Sequence, residues 1–477
     1  MVMDEKIFQE LKAIVGEKNI SSREADRIAY GRDAFPLKIM QYKLPSVLEQ
    51  PFPDCIVWVE SVEQISRILK IANEKKIPII PYGGGAGVNG GIVPLTGGIS
   101  IDLKKLRKIE INEESNFVLC QAGVIGQHLE NYLNKKGYTL GHLPSSLTTS
   151  TIGGFVATRS AGALSSLYGN IEDMVLDLEV VLPSGEIIHT NPSRVPRKAV
   201  GPNFNEVFIG TEGTFGIITD VCLSIKRNPD IREFAGFLFP TLAAGLRAVK
   251  KILNAGIKPS IIRLYESVEA RMVYHIEDIG KEESYLTLSF DGYNETREFV
   301  NYLKKICTEI CFKEGAKDMG AEGGKIWFQN RLNMYYPNPD YVKMNVLADT
   351  IDVVTTYDNL ENLFNKMKEA IQSKRVTVMA HWSHFYLEGG SMYLIFVMLE
   401  KDTEKDQKAS RLYKETWMNG LKACIENGGS ISHHHGIGIF RGDFMEQELG
   451  AGTYNLLKGI KKLIDPNGIM NPGKLGL

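Results

Sequence analysis

The sequence predicts an α+β chain of two domains, and three observations carry that prediction. A glycine-rich loop, Pro81–Gly91 (PYGGGAGVNGG), joins one strand to another rather than a strand to a helix. Two further Gly/Ser/Thr-rich stretches, residues 141–170 and 208–219, also feed strands. From Ile231 the glycine loops thin out, and strand–helix–strand units predict an antiparallel sheet with helices on one face. At 477 residues the chain is too long for a single core.

In order, Lys6–Gly16 has helical apolar spacing and a glycine stop, and a second short helix follows within residues 21–33. With a Pro-punctuated extended segment, these form a leader, residues 1–49, packing on the outside of the first domain. That domain, residues 50–229, opens with a strand at Cys55–Glu60, a capping box at Ser61–Gln64 and an amphipathic helix. Strand Ile77–Ile80 then delivers the glycine loop. Strands at Ile99–Leu103, Lys108–Asn112 and Phe117–Ala122, a helix at Gly126–Lys136, and strands at Met174–Leu182 and Glu186–Thr190 complete the set. Asn228-Pro-Asp marks the boundary to a second domain, residues 230–428. Its expected elements include strands Phe234–Phe239, Ser260–Tyr265, Tyr285–Asp291, Val376–His381 and Ser391–Leu399, with helices Leu242–Ala255, Glu295–Glu314 and Leu360–Ser373. A C-terminal segment, residues 429–477, carries ISHHHGIGIFR, a helix, and DPNGIMNPGKLGL.

Six of the eleven loop residues are glycine, so backbone N–H groups can converge on a pyrophosphate with no Cβ in the way. Gly85–Gly90 formally matches GxGxxG, but Pro94, Gly97 and Gly98 forbid the helix that a Rossmann site needs. The stretch 141–170 is long and nearly free of charge clusters, which suits a loop lying against a ligand. Three such segments suggest one large ligand along the first domain. An ordinary glycine-rich turn is the plain alternative for the loop alone.

A net charge of −2 gives no reason to expect nucleic acid, and no basic run marks a membrane-surface patch. The acidic, helical start MVMDEKIFQELKA is no signal peptide, and nothing approaches a spanning helix. A cytoplasmic location is the expectation. The six cysteines show no CxxC spacing and read as small core residues in a reducing compartment, with Cys307/Cys311 the one pair spaced for redox chemistry on a helix.

Together these motifs resemble the vanillyl-alcohol-oxidase (p-cresol-methylhydroxylase, PCMH) type of FAD-binding family, from about residue 50 to the end. The resemblance implies a two-subdomain PCMH-type FAD-binding domain and an α+β cap domain with an antiparallel sheet. It places FAD against Tyr82, Gly83, Gly84, Gly85, Ala86, Gly87 and Val88 for the pyrophosphate. Ser145, Ser146, Thr148, Ser150 and Thr151, then Thr158, Arg159, Ser160 and Ala161, and Glu212, Gly213, Thr214, Gly216, Ile217 and Ile218 would line the rest. With no His between Pro81 and Gly91, the FAD is expected to be non-covalent.

Two branches of the family compete. The 2-hydroxy-acid dehydrogenases carry GHxGDGNxH and Glu-His-Gly, where this chain has AHWSHFYLEGGSMY and His434 in place of the Glu. Losing a carboxylate weakens a divalent-metal site, so no metal is expected, the rival reading being that His381 and His384 join the triple-His segment as ligands. The segments STIGGFVATRSAG, LYGNIEDMVLDLEVVLPSG, IRLYES and SHHHGIG instead look like the alkyl-dihydroxyacetonephosphate synthase branch. That likeness implies exchange of the acyl group of acyl-dihydroxyacetonephosphate for a fatty alcohol through an adduct at flavin N5. The alternative is an FAD-linked D-2-hydroxy-acid dehydrogenase. A third reading, a flavin subunit serving assembly alone, is opposed by the intact SHHHGIG.

Carried over by position, Tyr386 would supply acid/base chemistry, although Leu387 stands where the family has Asp. His433, His434 and His435 would border the substrate as catalytic residues; Arg197 would bind substrate near the flavin and active site, and Arg263 would help place its phosphate. Each has a plain reading: the arginines as surface charges, Tyr386 as a packed aromatic, and His142 as a packed or supporting residue. The expected partners are a small-molecule or lipid phosphate substrate and no nucleic acid. Peripheral membrane contact and a homodimer are compatible with the family, and an electron-transfer partner belongs only to the dehydrogenase alternative. Trp327–Val346 reads as an apolar lid or as a packed irregular segment.

Overall fold

The computed structural model describes residues 3–37, 52–333, 347–399 and 407–477. The first sheet holds β1 (Ile20–Ser21), β2 (Cys55–Trp58), β3 (Ile79–Tyr82) and β4 (Ile99–Asp102), in the order β1-β2-β4-β3. β4 lies parallel to both neighbours, so the helix Val62–Lys75 is the crossover between β2 and β3. Its start is fixed by Ser61, whose side chain accepts from the Gln64 N–H. The glycine loop leaves the end of β3 and returns as β4, strand to strand as its prolines and glycines predict. β3 runs two residues beyond its expected end at Ile80, because Pro81 and Tyr82 still pair with Ile101 and Asp102.

The second sheet comprises β5 (Ile109–Asn112), β6 (Phe117–Gln121), β8 (Val175–Val181), β9 (Ile187–His189) and β10 (Ile217–Ser224), with order β5-β6-β10-β8-β9 and every pair antiparallel. A short ribbon of β7 (Tyr138–Thr139) and β11 (Lys226–Arg227) stands beside it. Helices Gly126–Asn134 and Ile152–Ala157 bury Leu129, Leu133, Ile152 and Phe155 in the core that this sheet shares.

The largest sheet contains β12 (Ile231–Phe239), β13 (Ile261–Glu266), β14 (Ser284–Gly292), β15 (Lys317–Gly320), β16 (Leu347–Thr356), β17 (Val376–Phe385) and β18 (Gly389–Met398). Its order is β15-β12-β14-β13-β17-β18-β16, antiparallel throughout. Helices Leu242–Asn254, Arg297–Lys313, Leu360–Ile371 and Lys408–Glu426 share a core with one face of it, where Ile262, Leu264, Ile351, Trp382 and Leu394 are buried. Strand alternation sends Arg263, Tyr265, Thr350, Tyr393 and Ile395 to the opposite face.

The leader departs from its expected position. Glu5–Val15 does lie outside, sharing a core with Ile65, Ile68 and Leu69. Beyond it, however, β1 pairs with β2, and Tyr30 hydrogen-bonds Asp102 at the end of β4. Phe35, 1% exposed, is buried in the core of the large sheet against Tyr413 and Phe440. Burial of one aromatic side chain stabilises by roughly 2 kcal/mol, which draws the leader between the domains. Trp327 belongs to the helix Glu322–Asn330, and residues 334–346 of the expected lid lie outside the described residues. All six cysteines are buried and free.

Candidate functional site

One cavity of about 470 Å³ runs from the glycine loop to the open face of the large sheet. At its first end, Gly83–Val88 face the space together with Ser145, Ser146, Ser150, Thr151, Thr158, Ser160 and Ala161. The glycines are required by proximity. A Cβ at Gly84 would lie 2.0 Å from the Thr149 carbonyl oxygen, and one at Gly83 would lie 2.4 Å from Thr151 Oγ1. Gly85 also takes φ +64°, where a Cβ would meet the Tyr82 hydroxyl at 2.3 Å. The loop backbone is therefore pressed against 149–151 and open to the cavity, the arrangement for cradling phosphate oxygens.

The C-terminal segment returns to this loop through named hydrogen bonds. Asn89 Nδ2 donates to the carbonyls of His435 and Gly436, both at 3.0 Å. The buried carboxylate of Glu212 accepts the N–H groups of Ile437 and Gly438. Asn471 bridges the Gly91 and Glu212 carbonyls, and the buried Lys474 Nζ reaches Val93 O at 2.9 Å. Glu212 thus serves as a clamp for the histidine segment as well as a cavity wall.

Asp352 on β16 fixes the histidines themselves. Its Oδ2 accepts the backbone N–H groups of His433, His434 and His435 at 2.9, 2.7 and 3.1 Å. Burial alone would raise the Asp352 pKa, but Arg441 and the neighbouring histidines hold it well below the usual carboxylate range. The rings then form a directed chain. Asn170 Nδ2 donates to the Tyr386 hydroxyl at 2.8 Å, so its proton goes to His433 Nε2 at 2.7 Å. That assignment places the His433 proton on Nδ1, 2.8 Å from His434 Nδ1. Burial pushes His433 down to about 4 and His384 and His434 well below their ordinary value, while Tyr386 rises to about 12. His384, His433 and His434 thus form a neutral hydrogen-bonding surface at pH 7. His384, His433 and His434 each place one ring nitrogen within 4.8 Å of the others, a spacing compatible with a metal ion.

β17 reaches this cluster through a register shift. Strand β17 was expected to end at His381, yet it continues to Phe385, with Trp382 opposite Met392 and His384 opposite Ser391. Ser383 is the extra residue of a β-bulge, so His381, Ser383 and His384 all face the cavity while Trp382 and Phe385 stay in the core. Strict alternation would have buried His384 in hydrocarbon.

The far end is polar and positively charged. Arg263 donates Nε–H to the Tyr265 hydroxyl at 2.6 Å and Nη2–H to His381 Nε2 at 2.7 Å, and its guanidinium lies 4.6 Å from the Trp327 ring. Arg331, just past the same helix, faces the cavity with its Nε–H buried and unpaired. Burial lowers its pKa to about 10, so it remains a cation at neutral pH.

The expected site residues are not all gathered. Glu212, Gly213, Gly216 and Ile218 face the cavity, but Tyr82, Thr148, Arg159, Thr214 and Ile217 do not. Tyr82 packs on Tyr30, and Arg159 pairs with Glu172 and Glu206 instead. His434 and His435 face the cavity, whereas Tyr386 and His433 stand behind His384 and His434. Arg263 reaches it; Arg197 does not, because its segment runs exposed over the surface with Val195, Val200 and Phe204. His142 is packed, with Nε2 2.8 Å from Ser160 Oγ. Arg331, Asp352, Arg441 and Glu269 escaped the motif reading. Arg331 follows Trp327 by four residues, one helical turn, the sole local sign that both share a face.

Among the described residues no helix is long and apolar enough to cross a membrane. The family described as FAD binding domain matches residues 53–191, and FAD linked oxidases, C-terminal domain, matches residues 208–475. Alkyldihydroxyacetonephosphate synthase of Dictyostelium discoideum is 30% identical over 98% of this chain and 80% of its own. The mitochondrial cytochrome-type D-lactate dehydrogenase of Arabidopsis thaliana is 29% identical, covering 89% of this chain and 73% of the relative. A solved alkyldihydroxyacetonephosphate synthase superposes with a TM-score of 0.81 and 26% identity, over 99% of this chain and 85% of that one.

Proposed function

The chain belongs to the FAD-linked oxidases, and we propose that it oxidises the hydroxyl of a small anionic substrate, a 2-hydroxy acid or a hydroxy phosphate. FAD is the cofactor, and the residues present fit it. Gly83–Val88 line the cavity, with Gly83 and Gly84 packed so closely on residues 149–151 that neither has room for a Cβ, and the hydroxyls of Ser145, Ser146, Ser150 and Thr158 offer donors along the same cavity. The isoalloxazine, when bound, supplies a two-electron acceptor.

The observation that carries the reading is the charge at the substrate end. Arg263 and Arg331 face one space, and two guanidinium groups suit a carboxylate or phosphate. The neutral rings of His384 and His434 offer hydrogen bonds to a hydroxyl without competing for the anion. Arg263, held by Tyr265, His381 and Trp327, is already oriented, which lowers the ordering cost of binding.

A second reading, the exchange of an acyl for an alkyl group that the resemblance to the alkyl-dihydroxyacetonephosphate synthase branch implies, is favoured by the Asn170–Tyr386–His433–His434 chain. That chain can move a proton toward the cavity wall without net redox.

Anaerobic mixing of the yellow protein with D-lactate, D-glycerate, glycerol phosphates and palmitoyl-dihydroxyacetonephosphate, in separate cuvettes, tests both. Bleaching of the flavin by a hydroxy acid or hydroxy phosphate, with colour restored by an artificial acceptor, is expected. Bleaching by the acyl phosphate alone, with fatty acid released and colour restored by a fatty alcohol, would replace this reading with the exchange.

A further inference from the structure

We propose that Glu269 is the catalytic residue that accepts the substrate hydroxyl proton, with His381 and Arg263 holding it in place. The inference rests on the oxidation reading above and adds the group that completes it.

Glu269 lies on the helix Ser267–Tyr274, is 3% exposed, and faces the same cavity as Arg263, Arg331 and His384. Its two oxygens have different surroundings. Oε1 is 2.6 Å from His381 Nδ1, while Oε2 is buried with no hydrogen-bond partner. A buried carboxylate oxygen left unpaired is costly, and it points to a donor brought by a ligand.

The direction of the His381 contacts follows from donor chemistry. A guanidinium cannot accept a hydrogen bond, so the Arg263 Nη2–H contact requires His381 Nε2 to carry the lone pair. His381 then bears its proton on Nδ1 and donates it to Glu269 Oε1. The ring is a fixed donor that orients the carboxylate and cannot take a proton from substrate at Nε2 without displacing Arg263. Oε2 is therefore the open acceptor in this triad. The groups facing Glu269 are Arg263 and Tyr265 from β13, His381 from β17, Tyr393 from β18 and Glu266 at the start of its own helix. Burial lifts its carboxyl to about 8, so the accepting, ionised form prevails in mildly alkaline conditions.

The proposed step balances. The substrate O–H bond breaks, its electron pair becomes the second bond of the C=O, and the proton moves to Oε2. The adjacent C–H bond breaks, and its hydrogen leaves with both electrons, as hydride, for the two-electron acceptor that bound FAD supplies.

The test compares holoenzyme with Glu269→Gln, Glu269→Ala and Glu269→Asp. Stopped-flow flavin reduction by the active hydroxy acid should fall roughly 10²–10⁴-fold in E269Q. FAD content should not change, and formate added to E269A should restore part of the rate. Unchanged reduction in E269Q, or no rescue in an E269A that retains FAD, overturns the proposal. A separate arm reads binding through the flavin absorbance shift, comparing glycolate with acetate. Wild type should prefer the hydroxylated ligand by about tenfold and E269A should lose that preference; an equal preference in both overturns the role of Glu269. If no hydroxy acid reduces wild type, the oxidation reading fails, and the binding arm still decides whether Oε2 receives a hydroxyl.

Discussion

The side chains of Arg441 and Asp352 form an ion pair from which water is excluded, both residues being 0% exposed. Arg441 also donates to the Gly436 carbonyl at 2.6 Å, so one guanidinium ties the histidine turn to β16. Removing one partner strands a buried charge, which typically costs roughly 3–5 kcal/mol. Asp352→Ala and Arg441→Met should each lower unfolding free energy by about that amount in denaturant titrations of the holoenzyme. The Asp352 variant should also release three backbone N–H groups and lose flavin reduction. A loss below about 1 kcal/mol in both would show that the pair does not hold the turn.

FAD loading depends on a glycine with no room for a methyl group. Gly84→Ala would force a Cβ to within 2.0 Å of the Thr149 backbone oxygen, which has no flexible side chain to move aside. The variant should purify with little or no yellow colour, measured as the flavin-to-protein absorbance ratio. Gly452→Ala, on the helix Met445–Ile464 with nothing within 4 Å, should retain full colour.

The anion should be bound by Arg263 and Arg331 and not by Arg197. A lost hydrogen bond to a charged group costs roughly 1.5–3 kcal/mol, or about 10- to 150-fold in affinity. Arg331→Met should weaken oxalate or phosphate binding by that factor, read from the flavin absorbance. Arg197→Ala should leave it within about twofold, since its side chain is on the exposed surface. Equal effects at residues 197 and 331 would remove the basis for the anion site.

Acid should weaken the fold through histidines buried in neutral form. His142 titrates near 3 in the folded chain, against an ordinary 6.5, because burial disfavours its charge. Below pH 6.5 the unfolded chain gains a proton that folded His142 refuses. Its contribution is therefore complete above pH 6.5 and is lost as pH falls toward 3, by up to roughly 5 kcal/mol. The stability difference between wild type and His142→Asn should shrink over that interval. A difference that stays constant with pH would mean that His142 takes up its proton equally in the folded and unfolded chain, so that burial does not hold it neutral.

Local patterns were sufficient for many of the elements and for the strand-to-strand course of the glycine loop, but not for β16 or the helix Lys408–Glu426. Ser61 begins its helix as the capping box predicts, and Pro94, Gly97 and Gly98 keep the loop from becoming a Rossmann turn. Those signals act within one turn or one strand period, where propensity and sterics decide. The bulge at Ser383 was not legible, because it depends on pairing β17 with β18 and on which face of the sheet is buried. Arg197 stands on the exposed surface and does not line the cavity, because the path of a loop is fixed by tertiary packing and not by the residues beside the arginine.

The sequence by itself determined that three Gly/Ser/Thr-rich segments enter strands around one large ligand, and that a histidine turn stands near the C-terminus. Only the tertiary structure decided what those histidines are. Asp352 lies 81 residues before His433, and Glu269 lies 112 before His381. No spacing rule links residues so far apart. Strand register and the burial of Phe35, Trp382 and Trp417 bring the elements together, and the same exclusion of water sets which of these groups carry a proton.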